Sequence, residues 1–347
     1  MNNKIPSCKI LLNGVGRIGK AILRIANSSD TIEIVSINEL NQNINNIAYF
    51  INYDSTYGRF DDLFTVDGDC IKNSKSTIKI INHNSLEDID LKSLDIDIVI
   101  DASGAKVDIE SLKDIDCKAI FLTHPNKSAD INIVLGVNET TLDIEKHKII
   151  STSSCNATAL LPILKLIDDN FTIEYGDITT IHPLLNHQKV LDSSCIGSQN
   201  RDVECNFEFG RSSLSNIIPS QTTTIDACSY IIPSINSSNL SSSSLRVPTD
   251  TVGAINVTLT VKESITKDKL LELCTTYEQN QQFDILLNNY CPLVSSDFKA
   301  QRFTTILDHR FTDVKMNKMI KLVIWYDNEW GYASKVINII ESYNNLR

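Results

Sequence analysis

Apolar residues follow two different rhythms along this chain, and the rhythm changes near residue 155. Before that point, short β-branched runs alternate with stretches of helical spacing. Residues 9–13 read as a strand, 18–26 as a helix and 31–38 as a second strand. Further strands are expected at 76–82, 96–100, 119–122, 131–135 and 148–150. Strands alternating with helices predict an α/β fold with a doubly wound parallel sheet. After residue 155 the pattern has period 2, at 174–182, 254–261 and 319–326. This predicts an α+β region with a mixed or antiparallel sheet. An amphipathic helix over 333–343 closes the chain. The stretch 182–219 is irregular and rich in Ser, Asn and Gly, and the Ser/Asn-rich 234–244 reads as a surface loop. No internal repeat is present.

A length of 347 residues suits two domains. Hydrophobic content of 42% and charged content of 22% place the chain among ordinary soluble globular proteins. The net charge of −11 and the lack of any Lys/Arg cluster with interleaved aromatics argue against a nucleic-acid partner. The nine cysteines are scattered, odd in number and never spaced C-x-x-C. That usage predicts free thiols in a reducing compartment, with no zinc site and no disulfide framework. The first residues hold no signal-like apolar segment and no 18-residue apolar run occurs, so a cytoplasmic protein without a membrane partner is expected.

Two motifs carry chemistry. The first, Asn13-Gly14-Val15-Gly16-Arg17-Ile18-Gly19, is G-x-G-x-x-G between an expected strand and an expected helix. Gly14 permits the tight turn, Gly16 lets the backbone approach a pyrophosphate, and Gly19 allows close helix–strand packing. The helix N-terminus, with the N–H groups of Arg17 and Ile18, would face the phosphates. Glu39 stands 25 positions after Gly14, at the end of the second strand. A carboxylate there favours NAD over its 2′-phosphorylated form.

The second motif centres on Cys155, set between small polar residues where the helical run Leu160, Leu161, Leu164, Ile167 begins. A helix N-terminus acidifies a thiol, so a poised thiolate is expected. His182 lies 27 positions later, at the end of a Thr/Ile-rich strand, and can act as its base.

Four further stretches extend these two motifs. Residues 13–20 match N-G-F-G-R-I-G-R, 52–60 match K-Y-D-S-T-H-G-R-F, and 151–162 match S-N-A-S-C-T-T-N-C-L-A-P. Residues 179–182 match T-T-V-H, 245–249 match F-R-V-P-T, and 325–332 match W-Y-D-N-E-x-G-Y. In this order and spacing the motifs resemble the glyceraldehyde-3-phosphate dehydrogenase family over nearly the whole chain. The resemblance implies a Rossmann NAD-binding domain over 1–154 and a catalytic domain over 155–318. A final strand and C-terminal helix over 319–347 would return to the first domain, and the assembly would be a homotetramer. It implies NAD-dependent, phosphorylating oxidation of a glyceraldehyde-3-phosphate-like aldehyde through a thioacyl intermediate, with inorganic phosphate as a partner. By the same resemblance Cys155 is the nucleophile and His182 the general base, and Asn328 meets the nicotinamide carboxamide. Ser103, Gly104 and Thr123 border the cofactor. Ser154, Asn156, Thr222, Thr223 and Arg246 border the substrate. Asn38-Glu39-Leu40, Thr123-His124-Pro125 and Trp330 are similar to the sister erythrose-4-phosphate dehydrogenases, where water tends to release an acid. A non-catalytic NAD-binding paralogue is the reading from a different class.

The departures from the family pattern lie around the substrate. Asn156 replaces the Thr after the cysteine, and Thr222-Thr223 replaces a Thr-Gly pair. Leu185 and His187 stand where the family has a Thr and an Asp that help build a phosphate site. Phe209 aligns near an expected phosphate-binding arginine, for which Arg201 or Arg211 could substitute.

Overall fold

The computed structural model describes residues 7–195 and 207–346, and the chain divides into two compact units. Unit 1 comprises Met1–Ile133, Thr140–Ser153 and Ala333–Arg347, and unit 2 comprises Val134–Glu139 and Ser154–Tyr332.

Unit 1 is built on nine strands: β1 (Cys8–Asn13), β2 (Ile32–Asn38), β3 (Thr65–Asp67), β4 (Cys70–Lys72), β5 (Thr77–Ile81), β6 (Ile98–Asp101), β7 (Ala119–Leu122), β8 (Ile131–Asn132) and β9 (Ile149–Ser151). Their order in the sheet is β3-β4-β5-β2-β1-β6-β7-β9-β8. Pairing is parallel from β5 across to β8, and only the β3-β4-β5 edge is antiparallel. From β1 the chain winds first to β2 and β5, then returns to β6 on the other side. Strand order therefore reverses between β1 and β6, where open α/β sheets bind ligands at the carboxyl ends. The strand expected over 131–135 is confined to Ile131–Asn132.

Helix α1 (Arg17–Ala26) follows β1 and buries Ala21, Ile22, Ile25 and Ala26, a spacing that puts one apolar face on the sheet. A helix not among the expected elements, α2 (Ile44–Asn52), starts where Asn43 accepts a hydrogen bond from Asn46 N–H at 3.1 Å. A short α3 (Ile109–Lys113) follows β6. The loop after α2 supplies Asp54, whose side chain is fully buried beneath α1 and ion-pairs with Lys20 and, at 2.6 Å, with Arg17. Burial alone would raise the Asp54 carboxyl. The Lys20 bond, the Tyr57 N–H and Arg17 outweigh it and hold the group well below the usual carboxylate range. Arg24 completes this clamp through the carbonyls of Ile51 and Gly58.

Unit 2 has a mixed sheet: β10 (Ile173–His182), β11 (Ile218–Ser220), β12 (Leu240–Arg246), β13 (Gly253–Val261), β14 (Leu286–Asn289), β15 (Thr305–Asp308), β16 (Asp313–Lys315) and β17 (Met319–Tyr326). The order is β11-β12-β10-β13-β17-β15-β14, with β16 on β17. β10–β12 and β14–β15 are parallel and the other pairs antiparallel. Strand β17 thus belongs to the sheet of unit 2. Helices α4 (Cys155–Phe171), α5 (Thr224–Ser229) and α6 (Lys267–Asn280) complete the unit, and Leu160, Leu164 and Ile167 of α4 share one core with Ile178, Ile255, Val257 and Ile324 of the strands. The last helix, α7 (Trp330–Asn345), lies from Ala333 onward in unit 1, and within that unit its Tyr343 packs edge-on against Phe121.

Two expectations are corrected. Residues 240–246 are a strand rather than a surface loop. Serine is a poor strand former, but Leu240–Arg246 pairs residue for residue with β10, and tertiary pairing overrides intrinsic preference. Seven cysteines are free thiols, whereas Cys195 is disulfide-bonded, so the free-thiol reading does not extend to it.

The Asp54 clamp predicts a loss of stability when the carboxylate is removed. Asp54→Asn leaves Lys20 buried without its counter-ion and should cost about 3 kcal/mol in urea unfolding. Because its folded pKa is depressed, the wild-type contribution is complete above about pH 4 and lost as pH falls below it. A variant as stable as wild type at pH 7 would overturn this assignment.

Candidate active site

In unit 1 the glycine motif sits at the switch point. Gly14 has a φ of 88°, a left-handed conformation that glycine adopts without strain. A Cβ there would lie 2.7 Å from the Cα of Ser103. A Cβ on Gly19 would collide with the Gly14 carbonyl oxygen, so this position fixes how closely α1 approaches β1. At Gly16 the same Cβ would meet nothing within 4 Å, and the space is left open. Gly16 caps α1 without a side-chain hydrogen bond, and no acid occupies the first turn, so the positive helix end with Arg17 and Ile18 remains available. The Arg17 side chain itself is committed to Asp54.

A cavity of about 490 Å³ opens here, lined by Gly14, Gly16, Glu39, Ser103, Lys106 and Asp108 among others. Glu39 is held in place by hydrogen bonds from Val15 N–H at 3.1 Å and Asn41 N–H at 3.2 Å. Thr123, at the end of β7, donates its hydroxyl to the Asp101 carbonyl at 2.9 Å, and Gly104 has a φ of 65°. An open helix N-terminus, a glycine slot and an anchored carboxylate at the end of β2 fit a dinucleotide's phosphates and ribose.

In unit 2 the chemistry converges on the start of α4. Ser153 turns the chain out of β9 with a φ of 59°, a strained conformation for a residue with a Cβ. Ser154 then caps the helix, accepting from Ala157 N–H at 3.2 Å. Cys155 is the first residue of α4, and its Sγ lies 3.9 Å from His182 Nε2. The Nδ1 of His182 is 2.9 Å from the Pro183 carbonyl oxygen, and an N–H there leaves the Nε2 lone pair facing the thiol.

Burial works against the thiolate expected at this position. Burial pushes the Cys155 thiol up to about 11, against the opposing pull of Arg246 and of the Asn156 and Cys155 N–H groups. Burial, then Arg246, lowers His182 to about 3. Both shifts act toward the uncharged forms of the couple. Loss of hydration outweighs the helix dipole here.

Arg246 is the charged member of the site. Its Cα is the register partner of His182 in the parallel β10–β12 pair. The Nε and Nη1 atoms are buried and have no hydrogen-bond partner among the described residues. Burial pulls this guanidinium below its usual value, with Tyr326 and Cys155 acting the other way. A buried cation without a partner is costly to maintain, and its geometry suits an incoming carboxylate or phosphate.

A chain of polar contacts continues from the thiol. Cys155 Sγ is 3.7 Å from Asn156 Oδ1, which accepts from Tyr326 O–H at 2.6 Å. Asn156 Nδ2 donates to Thr224 Oγ1 at 3.2 Å, and Thr224 Oγ1 is 2.7 Å from Thr222 Oγ1. Thr223 precedes α5 with a φ of −93°, so the replacement of glycine there imposes no backbone strain. Asn328 Oδ1 accepts from Val252 N–H at 3.1 Å and lies 3.3 Å from the Thr251 hydroxyl. Its Nδ2 has no hydrogen-bond partner among the described residues and stays free to donate.

Among the described residues, the rewritten positions do not rebuild a second anion site. Leu185 donates its backbone N–H to Gln188 Oε1, and His187 packs against the Phe209 ring at 5.8 Å. Arg211 pairs at 3.0 Å with Asp192 on the surface, and Arg201 lies outside the described residues. Sequence reasoning assigned no role to Tyr326 or Thr224. One signal was legible: Gly253 inside a strand marks a place where another group approaches closely. Tyr326 fills that place, since a Cβ on Gly253 would stand 2.6 Å from its hydroxyl.

Comparison with known proteins gives a consistent picture. Residues 8–109 match the glyceraldehyde 3-phosphate dehydrogenase NAD binding domain and residues 154–328 match the C-terminal domain of that family. Among similar proteins is glyceraldehyde-3-phosphate dehydrogenase 2 of Bacillus subtilis (strain 168), 32% identical over 335 residues, covering 96% of this chain and 95% of that protein. Glyceraldehyde-3-phosphate dehydrogenase 1 of Kluyveromyces marxianus is likewise 32% identical, over 96% of this chain and 98% of its own. Among the described residues no helix is long and apolar enough to cross a membrane.

The buried couple predicts the pH behaviour of the thiol. Alkylation of Cys155 by iodoacetamide, read by peptide mass, should rise with pH through a midpoint above the free-thiol value of about 8.5. Arg246→Met should move the midpoint higher still, because the guanidinium favours the thiolate. A wild-type midpoint below neutrality would contradict the burial argument.

Proposed function

The chain belongs to the glyceraldehyde-3-phosphate dehydrogenase family, and on that premise we propose that Cys155 attacks an aldehyde carrying a single anionic group, with NAD as oxidant. The observation that carries this reading is the unpartnered, buried Arg246 set opposite His182 and acting on the Cys155 thiol. A free cation in that place asks for an anion on the molecule that the thiol attacks.

The proton path starts from the uncharged forms of the couple. As the Cys155 Sγ–carbon bond forms, the thiol proton moves to His182 Nε2 and then to the carbonyl oxygen, giving a hemithioacetal. The Cys155 N–H, at the positive end of α4, helps to hold the oxygen while it carries charge. His182 next removes the hydroxyl proton as the carbonyl re-forms into a thioacyl group. Bound NAD supplies the hydride acceptor for that step. Attack by the acyl acceptor breaks the Cys155–carbon bond, and His182 returns a proton to the departing sulfur.

The remaining groups bind and orient. Gly14 and Gly16, with the N–H groups of Arg17 and Ile18, take the pyrophosphate, while Gly19 sets the helix packing. Glu39 takes the adenosine ribose, and Ser103, Gly104 and Thr123 border the cofactor. The free Asn328 Nδ2 suits a carboxamide oxygen. Arg246, Ser154, Asn156, Thr222 and Thr223 border the substrate.

The acyl acceptor has two readings. Family membership favours inorganic phosphate, which releases an acyl phosphate. Water, releasing an acid as in the erythrose-4-phosphate branch, is favoured by Leu185, by the His187–Phe209 pair and by Thr223 in place of glycine. A non-catalytic scaffold is disfavoured by the assembled Cys155–His182 couple. The homotetramer expected of the family is supported by exposed Leu191, Leu214 and Ile217. A cytoplasmic location is supported by the free thiols.

The experiment is NADH formation across phosphorylated and plain aldehydes, each with and without inorganic phosphate. Cys155→Ala should abolish turnover, and His182→Asn should lower kcat by roughly 10²–10⁴-fold. Arg246→Met should raise KM for a phosphorylated aldehyde roughly tenfold or more and change KM for an uncharged one little. Wild-type rates from Cys155→Ala would end the proposal.

A further inference from the structure

We propose that Asn156 is a positioning residue that sets the ionisation of the Cys155 thiol, and that Tyr326 holds it in the orientation that does so. The inference rests on the reading of Cys155 as nucleophile and deepens it. Asn156 Oδ1 receives two convergent donors, the Tyr326 hydroxyl at 2.6 Å and the Cys155 thiol, whose Sγ lies 3.7 Å away. The other end of the amide is committed to Thr224 at 3.2 Å, so both faces of the side chain are used within the protein. Tyr326 is 1% exposed, and its ring occupies the space that a side chain on Gly253 would need. The glycine therefore fixes where the hydroxyl sits, and the hydroxyl fixes the amide.

An amide oxygen beside sulfur stabilises S–H and repels S⁻. The charged and titratable groups that face the thiol are His182 on β10, Arg246 on β12, Tyr326 on β17 and Glu329 after it. Arg246 favours the thiolate, while Glu329 and the buried Tyr326 disfavour it. Asn156 adds to the second group through a hydrogen bond that only the protonated sulfur can make. A hydroxyl at position 156 would act differently, because it can rotate to donate to the thiolate. The Asn156 side chain thus opposes ionisation of the cysteine, against the pull of Arg246 and of the Asn156 backbone N–H.

The test measures alkylation of Cys155 itself by iodoacetamide, as a function of pH, in the full-length protein. It needs no turnover, so it stands even if the aldehyde chemistry proposed above fails. Asn156→Thr should lower the apparent midpoint by about one unit, which is roughly tenfold faster alkylation at neutral pH. Asn156→Asp, nearly identical in shape, should raise the midpoint by about one unit or more because it adds a negative charge. Tyr326→Phe frees the amide to turn its N–H groups toward sulfur and should lower the midpoint. Circular dichroism and the protection of the buried Cys228 and Cys274 from alkylation report folding of each variant. Superimposable pH profiles for wild type, Asn156→Thr and Asn156→Asp would overturn the proposal, as would a shift of Asn156→Thr to higher pH.

Discussion

Everything at this site depends on the contest between burial and fixed charge at the half-buried first turn of α4. Desolvation pushes Cys155 up to about 11 and His182 down to about 3, so it acts against charge on either partner. The same enclosure leaves two nitrogens of Arg246 without a partner. The site holds one uncompensated positive charge and a couple that burial biases toward its uncharged forms. On the proposed reading, binding of an anionic aldehyde would satisfy the cation, and attack by sulfur would ionise the couple beside it. The two events would share the same space, where burial makes electrostatic interactions strong.

The fold explains why these groups meet. Ser153, in its left-handed turn, delivers Cys155 to a helix N-terminus, and Ser154 caps that helix. The parallel pairing of β10 with β12 sets His182 against Arg246, and the antiparallel β13–β17 pair sets Gly253 against Tyr326. Each functional side chain comes from the end of a regular element and is fixed by a neighbour. From the irregular stretch between β10 and β11, the Pro183 carbonyl orients the His182 ring. This arrangement suits a family in which the thiol chemistry stays and the substrate surroundings drift: Leu185, His187 and Thr223 differ from the family pattern without disturbing the couple.

Much of this was legible in the order of residues. Period-2 and helical spacing located β1, β2, β10, β13 and β17 to within a residue or so, because their apolar faces are buried and the period follows burial. The glycine motif was readable for a different reason: only glycine tolerates the turn at 14 and the packing at 19. Strand β12 was not readable. Its serines carry no apolar period, and only pairing with β10 makes them extended. Helix α2 was passed over although Ile44, Ile47, Ala48 and Ile51 follow a helical spacing and Asn43 caps its start. The upward shift of the Cys155 thiol was out of reach. The sequence shows the helix dipole that lowers a thiol's pKa but not the burial that outweighs it. Tyr326 could be read as part of a motif, while its hydrogen bond to Asn156 depends on a rotamer that Gly253 makes room for.

The central claim is that Cys155 carries the acyl group during the reaction. Its most direct test is rapid acid quenching of the protein mixed with glyceraldehyde-3-phosphate and NAD, without inorganic phosphate, followed by peptide mass mapping. The account predicts a thioester adduct on the peptide containing Cys155, absent without NAD and absent in Arg246→Met at low aldehyde concentration. NADH formation with every peptide of Cys155 unmodified, or with the acyl group on another cysteine, would contradict it.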